Sequence, residues 1–206
     1  MSRSDMIAVG QKEVWDVYAF QIGASMDIKI AGTEFSLQRK AFEIYVQGCY
    51  RNCVGCHNPE TQPFSGGTLV DIDKFIDEQA VRVKMFDNIV ENIYVTGGDL
   101  LCYVDRIAEE FSVNVLVAWY NKFKWLFTGA DEEDIPPWVW DYYDIVKCGA
   151  YRQDLRQEDG TFPASSNQKL IFNTKRIDRP KLFGVSAESL QFKFVNTEFK
   201  GEKKWK

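Results

Sequence analysis

No run of about 18 apolar residues occurs anywhere in the chain, so no membrane-spanning helix is expected. The N-terminal stretch MSRSDMIAVGQKEVWD lacks the apolar centre of a secretory signal, and a soluble, cytoplasmic protein is expected. No basic stripe runs along the sequence, and the net charge is −5. Binding through phosphate neutralisation is therefore disfavoured, and no nucleic-acid partner is expected. Low-complexity stretches and repeats of 20–50 residues are also missing. Histidine is down to one residue, His57, and the five cysteines are an odd number with three crowded together. That crowding suits metal binding in a reducing compartment better than a disulfide framework. What remains is ample for a core: 206 residues, 45% of them hydrophobic and 15% aromatic. This length fits one α/β domain, which commonly runs to roughly 200–250 residues.

Strand and helix signals alternate along the chain. Strand-like runs fall at 14–20, 26–31, 41–47, 91–96, 113–119, 124–128, 143–148, 169–172 and 191–195. Residues 71–80 read as a helix with Asp71 as its N-cap. A second helix is expected over 100–111, with Leu101, Val104, Ile107, Ala108 and Phe111 on one face. Pro136-Pro137 breaks the chain before the aromatic segment WVWDYY. The alternation predicts βαβ units and a mostly parallel sheet. Gly48-Cys49, Gly97-Gly98-Asp99 and Thr128-Gly129 each follow a predicted strand end. Ligand sites in such sheets collect beyond the carboxyl ends of the strands, so the three segments point at one face.

The chemistry concentrates in Cys49-Tyr50-Arg51-Asn52-Cys53-Val54-Gly55-Cys56, followed by His57-Asn58-Pro59. The C-x3-C-x2-C spacing gathers three thiolates and supplies no fourth cysteine nearby. An iron–sulfur cube normally takes four. Held by three, it keeps one iron with an open position, where reactive chemistry can occur, as at catalytic rather than structural zinc. A zinc ion held by Cys49, Cys53, Cys56 and His57 is the competing reading; it lacks the paired knuckles such sites usually show. The two glycines of Thr96-Gly97-Gly98-Asp99 allow a ligand close to the backbone, and the Asp99 carboxylate suits an ammonium group. Cys102 and Cys148, with no cysteine neighbouring in sequence, read as small buried apolar residues.

The string VQGCYRNCVGCHNPET resembles the radical S-adenosylmethionine (SAM) superfamily, and within it the activating proteins of glycyl radical enzymes. It is most similar to the activase of anaerobic (class III) ribonucleoside-triphosphate reductase. The resemblance implies a partial, incomplete radical SAM barrel, α/β and open on one side. It implies that Cys49, Cys53 and Cys56 ligate three irons of a 4Fe-4S cluster while SAM chelates the fourth. One electron then cleaves the sulfonium C–S bond, and the resulting 5′-deoxyadenosyl radical abstracts a hydrogen atom. Thr96, Gly97, Gly98 and Asp99 resemble the family motif that binds the SAM amino group, with Leu100 where proline is common. His57, Asn58 and Thr128, the last in KWLFTGA, are the further implied SAM contacts. Gly55 stands where many members carry an aromatic residue. YDIVKCGAYRQDLR and Ser165-Ser166-Asn167-Gln168 extend the likeness to about residue 171.

One radical SAM domain is thus expected over 1–206, with its core at about 40–172 and extensions at 1–25 and 175–206 beyond the family pattern. The implied function is to generate a glycyl radical on the catalytic subunit of an anaerobic ribonucleotide reductase, with a flavodoxin-type electron donor. Two rival readings are a small-molecule radical SAM enzyme resembling 7-carboxy-7-deazaguanine synthase and a non-enzymatic zinc-binding interaction module.

Overall fold

The computed structural model describes residues 26–173, 175–176, 193–194 and 196–200. Eight strands form one sheet: β1 (Asp27–Ser36), β2 (Ala41–Val46), β3 (Thr68–Asp71), β4 (Asn92–Gly97), β5 (Phe123–Phe127), β6 (Ile145–Cys148), β8 (Lys169–Asn173) and β10 (Thr197–Lys200). A second, two-stranded sheet pairs β7 (Thr161–Phe162) with β9 (Lys193–Phe194). The larger sheet has the order β10-β8-β6-β5-β4-β2-β1-β3 and does not close on itself. Four pairings are parallel (β2–β4, β4–β5, β5–β6, β8–β10) and three antiparallel (β1–β2, β1–β3, β6–β8). The expected α/β, mostly parallel and open sheet is thus observed, with its parallel run at the centre. Expected strand 14–20 and the extension 1–25 lie outside the described residues, as does most of 175–206. The run 191–195 is seen as the short strand β9.

Helix α1 (Ile72–Lys84) links β3 to β4, and α2 (Asp105–Ala118) links β4 to β5. Asp71 caps α1 as expected, its Oδ1 accepting the Lys74 amide at 3.0 Å. The second helix departs from the sequence reading in two ways. It begins late, because Asp99 first caps a single 3-10 turn, Leu100–Cys102, by accepting the Leu101 amide. It also continues through 113–118, which read as a strand. Val113 and Val115 are β-branched, but the burial they gain against the sheet overrides a weak helix propensity. A four-residue helix, α3 (Val139–Tyr142), follows the Pro-Pro break.

The pleat gives the central strands two different faces. Phe42, Ile44, Val46, Ile93, Val95, Leu126, Val146 and Ile171 point toward the helices and join Ile76, Phe111 and Val115 in the main core. The opposite face carries Glu43 and Tyr45 on β2, Tyr94 and Thr96 on β4, Trp125 and Phe127 on β5, and Lys147 on β6. Register aligns Glu43, Tyr94, Trp125 and Ile145 in one row across four strands. One face therefore holds the fold together, and the other is furnished with polar and aromatic groups.

Phe111 is fully buried in the main core, so Phe111→Ala should cost about 3–5 kcal/mol. Removing the α1 cap with Asp71→Ala should cost about 1 kcal/mol. Urea unfolding should show this order, with both midpoints lowered.

Candidate functional site

The cysteine loop leaves β2 at its carboxyl end. It is anchored at its start: the Gly48 and Cys49 amides donate to the carbonyls of Thr61 and Gln62 at 2.7 and 2.8 Å. Asn52 turns the loop in the left-handed region, with φ of 49°, a conformation Asn tolerates better than most residues. Across the sheet, β4 ends at Gly97 and β5 at Phe127. Parallel pairing brings these ends level, and the Asp99 amide donates to the Gly48 carbonyl at 2.9 Å. A Cβ on Gly98 would collide with that same carbonyl, so this close approach requires glycine.

The Asp99 side chain, 1% exposed, ties the three strand ends together. Its Oδ2 accepts from Arg51 Nε at 2.8 Å, from the Gly129 amide at 2.9 Å and from Thr128 Oγ1 at 3.0 Å. Its Oδ1 accepts the Leu101 amide at 3.0 Å. The donors come from three parts of the site's perimeter: the cysteine loop, the end of β5 and the 3-10 turn after β4.

A cavity of about 430 Å³ opens beneath the loop. All ten residues singled out from the sequence line it: Cys49, Cys53, Cys56, His57, Asn58, Thr96, Gly97, Gly98, Asp99 and Thr128. His57 stands at the mouth, edge-on to Tyr151 with ring centroids 6.4 Å apart. Of Ser165-Ser166-Asn167-Gln168, only Gln168 lines the cavity. The string otherwise braces the wall: Gln168 Nε2 donates to the Gly149 carbonyl, and Asn167 Nδ2 to that of Ala150.

Several cavity residues escaped the sequence reading. Arg39 donates to both oxygens of the buried Glu43 carboxylate, at 2.8 and 3.1 Å, and Tyr45 donates to it at 2.8 Å. Tyr94, Trp125 and Phe127 form an aromatic floor, with Tyr94 5.1 Å from each of the other two rings. Lys147 points inward from β6, where burial pulls its pKa down to about 8. The Asp99 carboxylate works against that pull, and the ammonium donates to the Gly149 carbonyl at 3.5 Å. A lysine alternating with Val146 and Cys148 in an apolar strand is a legible signal for a charge on the face opposite the main core. Cys102 was read as a small apolar residue without a cysteine neighbour. In the structure its Sγ, Cys49 Sγ and an Asp99 oxygen lie within 4.8 Å of one another. The Cys102 thiol beside it holds Cys49 down to about 7, while Cys102 itself is pushed up.

The donor set fits an iron–sulfur cluster better than one zinc ion. Two ligands of one zinc lie at most about 4.6 Å apart, twice the ~2.3 Å Zn–S bond. Cys49, Cys53 and Cys56 do not meet even a 4.8 Å mutual limit, yet all three half-buried sulfurs face the same cavity. A multi-iron body spans such a spread. Arg51 and Lys147 place positive charge beside it, which favours thiolate ligands.

Residues 39–171 match the family model described as a 4Fe-4S single cluster domain. The pyruvate formate-lyase-activating enzyme of Listeria monocytogenes is 32% identical over 72 residues, 35% of this chain and 29% of that enzyme. The chain thus spans under a third of the length of those relatives. The anaerobic ribonucleoside-triphosphate reductase-activating protein of Haemophilus influenzae is 24% identical over 139 residues, 61% of this chain and 83% of that protein. Among solved structures, QueE from Escherichia coli aligns over 90% of this chain and 86% of its own, with a TM-score of 0.40 and 13% identity. The family match covers well over half the chain and takes in the cysteine loop and strands β2 to β7, so the protein, similar to the activating proteins its cysteine loop first resembled, belongs to the 4Fe-4S single cluster domain family.

Proposed function

We propose that this protein is a radical SAM activase that generates a glycyl radical on an anaerobic ribonucleotide reductase. The observation that carries the reading is the convergence of Cys49, Cys53 and Cys56 with the ends of β4 and β5 on one cavity. The specific target rests on the likeness to the Haemophilus influenzae protein, whose length is covered to 83%. Cys49, Cys53 and Cys56 are the cluster ligands in this reading. Thr96, Gly97, Gly98, Thr128, His57 and Asn58 line the space for SAM, and Asp99 sits at its edge.

The cluster and SAM, when bound, supply the one-electron chemistry that amino-acid side chains lack. The protein's own residues do the rest. Arg51 and Lys147 offset negative charge near the sulfurs. Tyr94, Trp125 and Phe127 give the cavity an apolar floor that excludes water from a reactive species. Hydrogen-atom abstraction needs no side-chain base, so the single histidine is no obstacle. A flavodoxin-type protein is the proposed electron donor. No helix among the described residues is long and apolar enough to cross a membrane, and all five cysteines are free thiols, which suits a cytoplasmic setting.

One observation favours a second reading, a small-molecule radical SAM enzyme. The cavity continues past the cysteines to the Arg39–Glu43–Tyr45 group, and a buried carboxylate hydrogen-bonded to a part-exposed arginine and tyrosine suits a polar metabolite.

After anaerobic reconstitution, iron and sulfide should be incorporated in equal amounts, and Cys53→Ser should abolish SAM cleavage under dithionite. Cleavage retained by that variant would overturn the ligand assignment. Electron paramagnetic resonance of the reconstituted protein with SAM and candidate reductases should show a glycyl radical in one of them. A tight metabolite complex with no such signal would decide for the second reading.

A further inference from the structure

The resemblance assigns the Asp99 carboxylate to the amino group of SAM; its surroundings give it a second task. Oδ2 already accepts three donors and Oδ1 one, all from this chain, and the residue is 1% exposed. Oδ1 keeps one acceptor position, and the rest of the carboxylate is committed to this chain. The donor nearest the cysteines is Arg51, two residues after Cys49 and two before Cys53. Its side chain is 21% exposed, and Nε lies 2.8 Å from Oδ2.

The seat beneath Arg51 is shaped to hold it. A Cβ on Gly129 would lie 2.5 Å from Arg51 Cδ and 3.1 Å from Nε, so the arginine stem occupies the space that a larger residue would fill. Gly129 contributes its amide to the same Oδ2 that Arg51 reaches. The end of β5 therefore provides both the room for the arginine and part of the acceptor's cage.

We propose that Arg51, Asp99 and Gly129 form a latch that sets the cysteine loop in its ligating shape before metal arrives, and that Asp99 acts there as a positioning residue. The proposal rests on the cluster reading above and deepens it. The loop between Cys49 and Cys53 is three residues long. Fixing its middle residue restrains both flanking thiols, so less ordering remains to be done when iron binds. Outer partners that orient metal ligands in this way are typically worth about 10–100-fold in metal affinity or activity.

Arg51→Gln removes the charge-assisted bond, and Gly129→Ala evicts the arginine without touching any charged group. Hydrogen–deuterium exchange of the cluster-free protein should show faster exchange across residues 48–58 in both variants. After reconstitution, both should lose iron to a chelator about 10–100-fold faster than the parent protein, the range for disturbed outer-shell partners. SAM affinity per remaining cluster should be unchanged in Gly129→Ala, which alters no charge near the sulfurs. Asp99→Asn should share the exchange phenotype, or unfold outright; the first two variants carry the test in either case. If Arg51→Gln and Gly129→Ala exchange and retain iron like the parent, while Asp99→Asn selectively weakens SAM binding, the latch is wrong and the ammonium assignment stands. A parent protein that takes up no iron would sink the cluster reading instead, and the metal-free exchange comparison would still judge the latch.

Discussion

A buried carboxylate at the meeting point of three chain segments governs this site. Asp99 lies just past β4, yet its acceptors are filled by the cysteine loop, the end of β5 and the following 3-10 turn. A charge removed from water is tolerated only when paired and fully hydrogen-bonded. The geometry of those donors is therefore imposed by the requirement to satisfy Asp99. Glycine at 98 and 129 follows from the same requirement, since both positions are crowded by the loop that Asp99 draws in. The cysteines are carried by a loop, but the loop is moored to the rigid ends of the sheet.

The two faces of the sheet divide the remaining work. On the helix side, aliphatic residues from α1, α2 and the central strands make a continuous apolar layer. The other side places Arg39, Glu43, Tyr45 and Lys147 beside an aromatic floor, and these polar groups are satisfied locally rather than by the core. A buried Glu43 with three donated hydrogen bonds is stable where it is, but a ligand able to share Arg39 or Tyr45 would meet preorganised partners. Parallel strand order makes this arrangement possible, because it brings the carboxyl ends of β2, β4 and β5 to one rim.

Much of the site was legible in the sequence because its signals are local. Cysteine spacing and glycines at strand ends are short patterns, the family resemblance adds His57, Asn58 and Thr128, and the ten residues so singled out share one cavity. The central strands were legible as apolar runs. The tail of α2 was not: VNVLVAW has the composition of a strand, and only its packing against the sheet makes it helical. The late start of α2 was hidden for a related reason, since Asp99 diverts residues 100–102 into a separate turn. Arg51 was invisible because its partner is 48 residues away. Cys102 was misjudged similarly; its neighbour Cys49 is distant in sequence and adjacent only after β2 and β4 pair. Short patterns bring out candidate ligands, while the contacts that orient them span long stretches of sequence.

The hydrogen bond from the Asp99 amide to the Gly48 carbonyl has one more implication. It splices the first residues of the cysteine loop into the backbone ladder of the sheet, so occupancy of the loop and cohesion of the strands share a common free energy. Iron starvation would then leave a softened protein rather than merely an idle one, and proteolytic turnover would track the cell's supply of iron and sulfide.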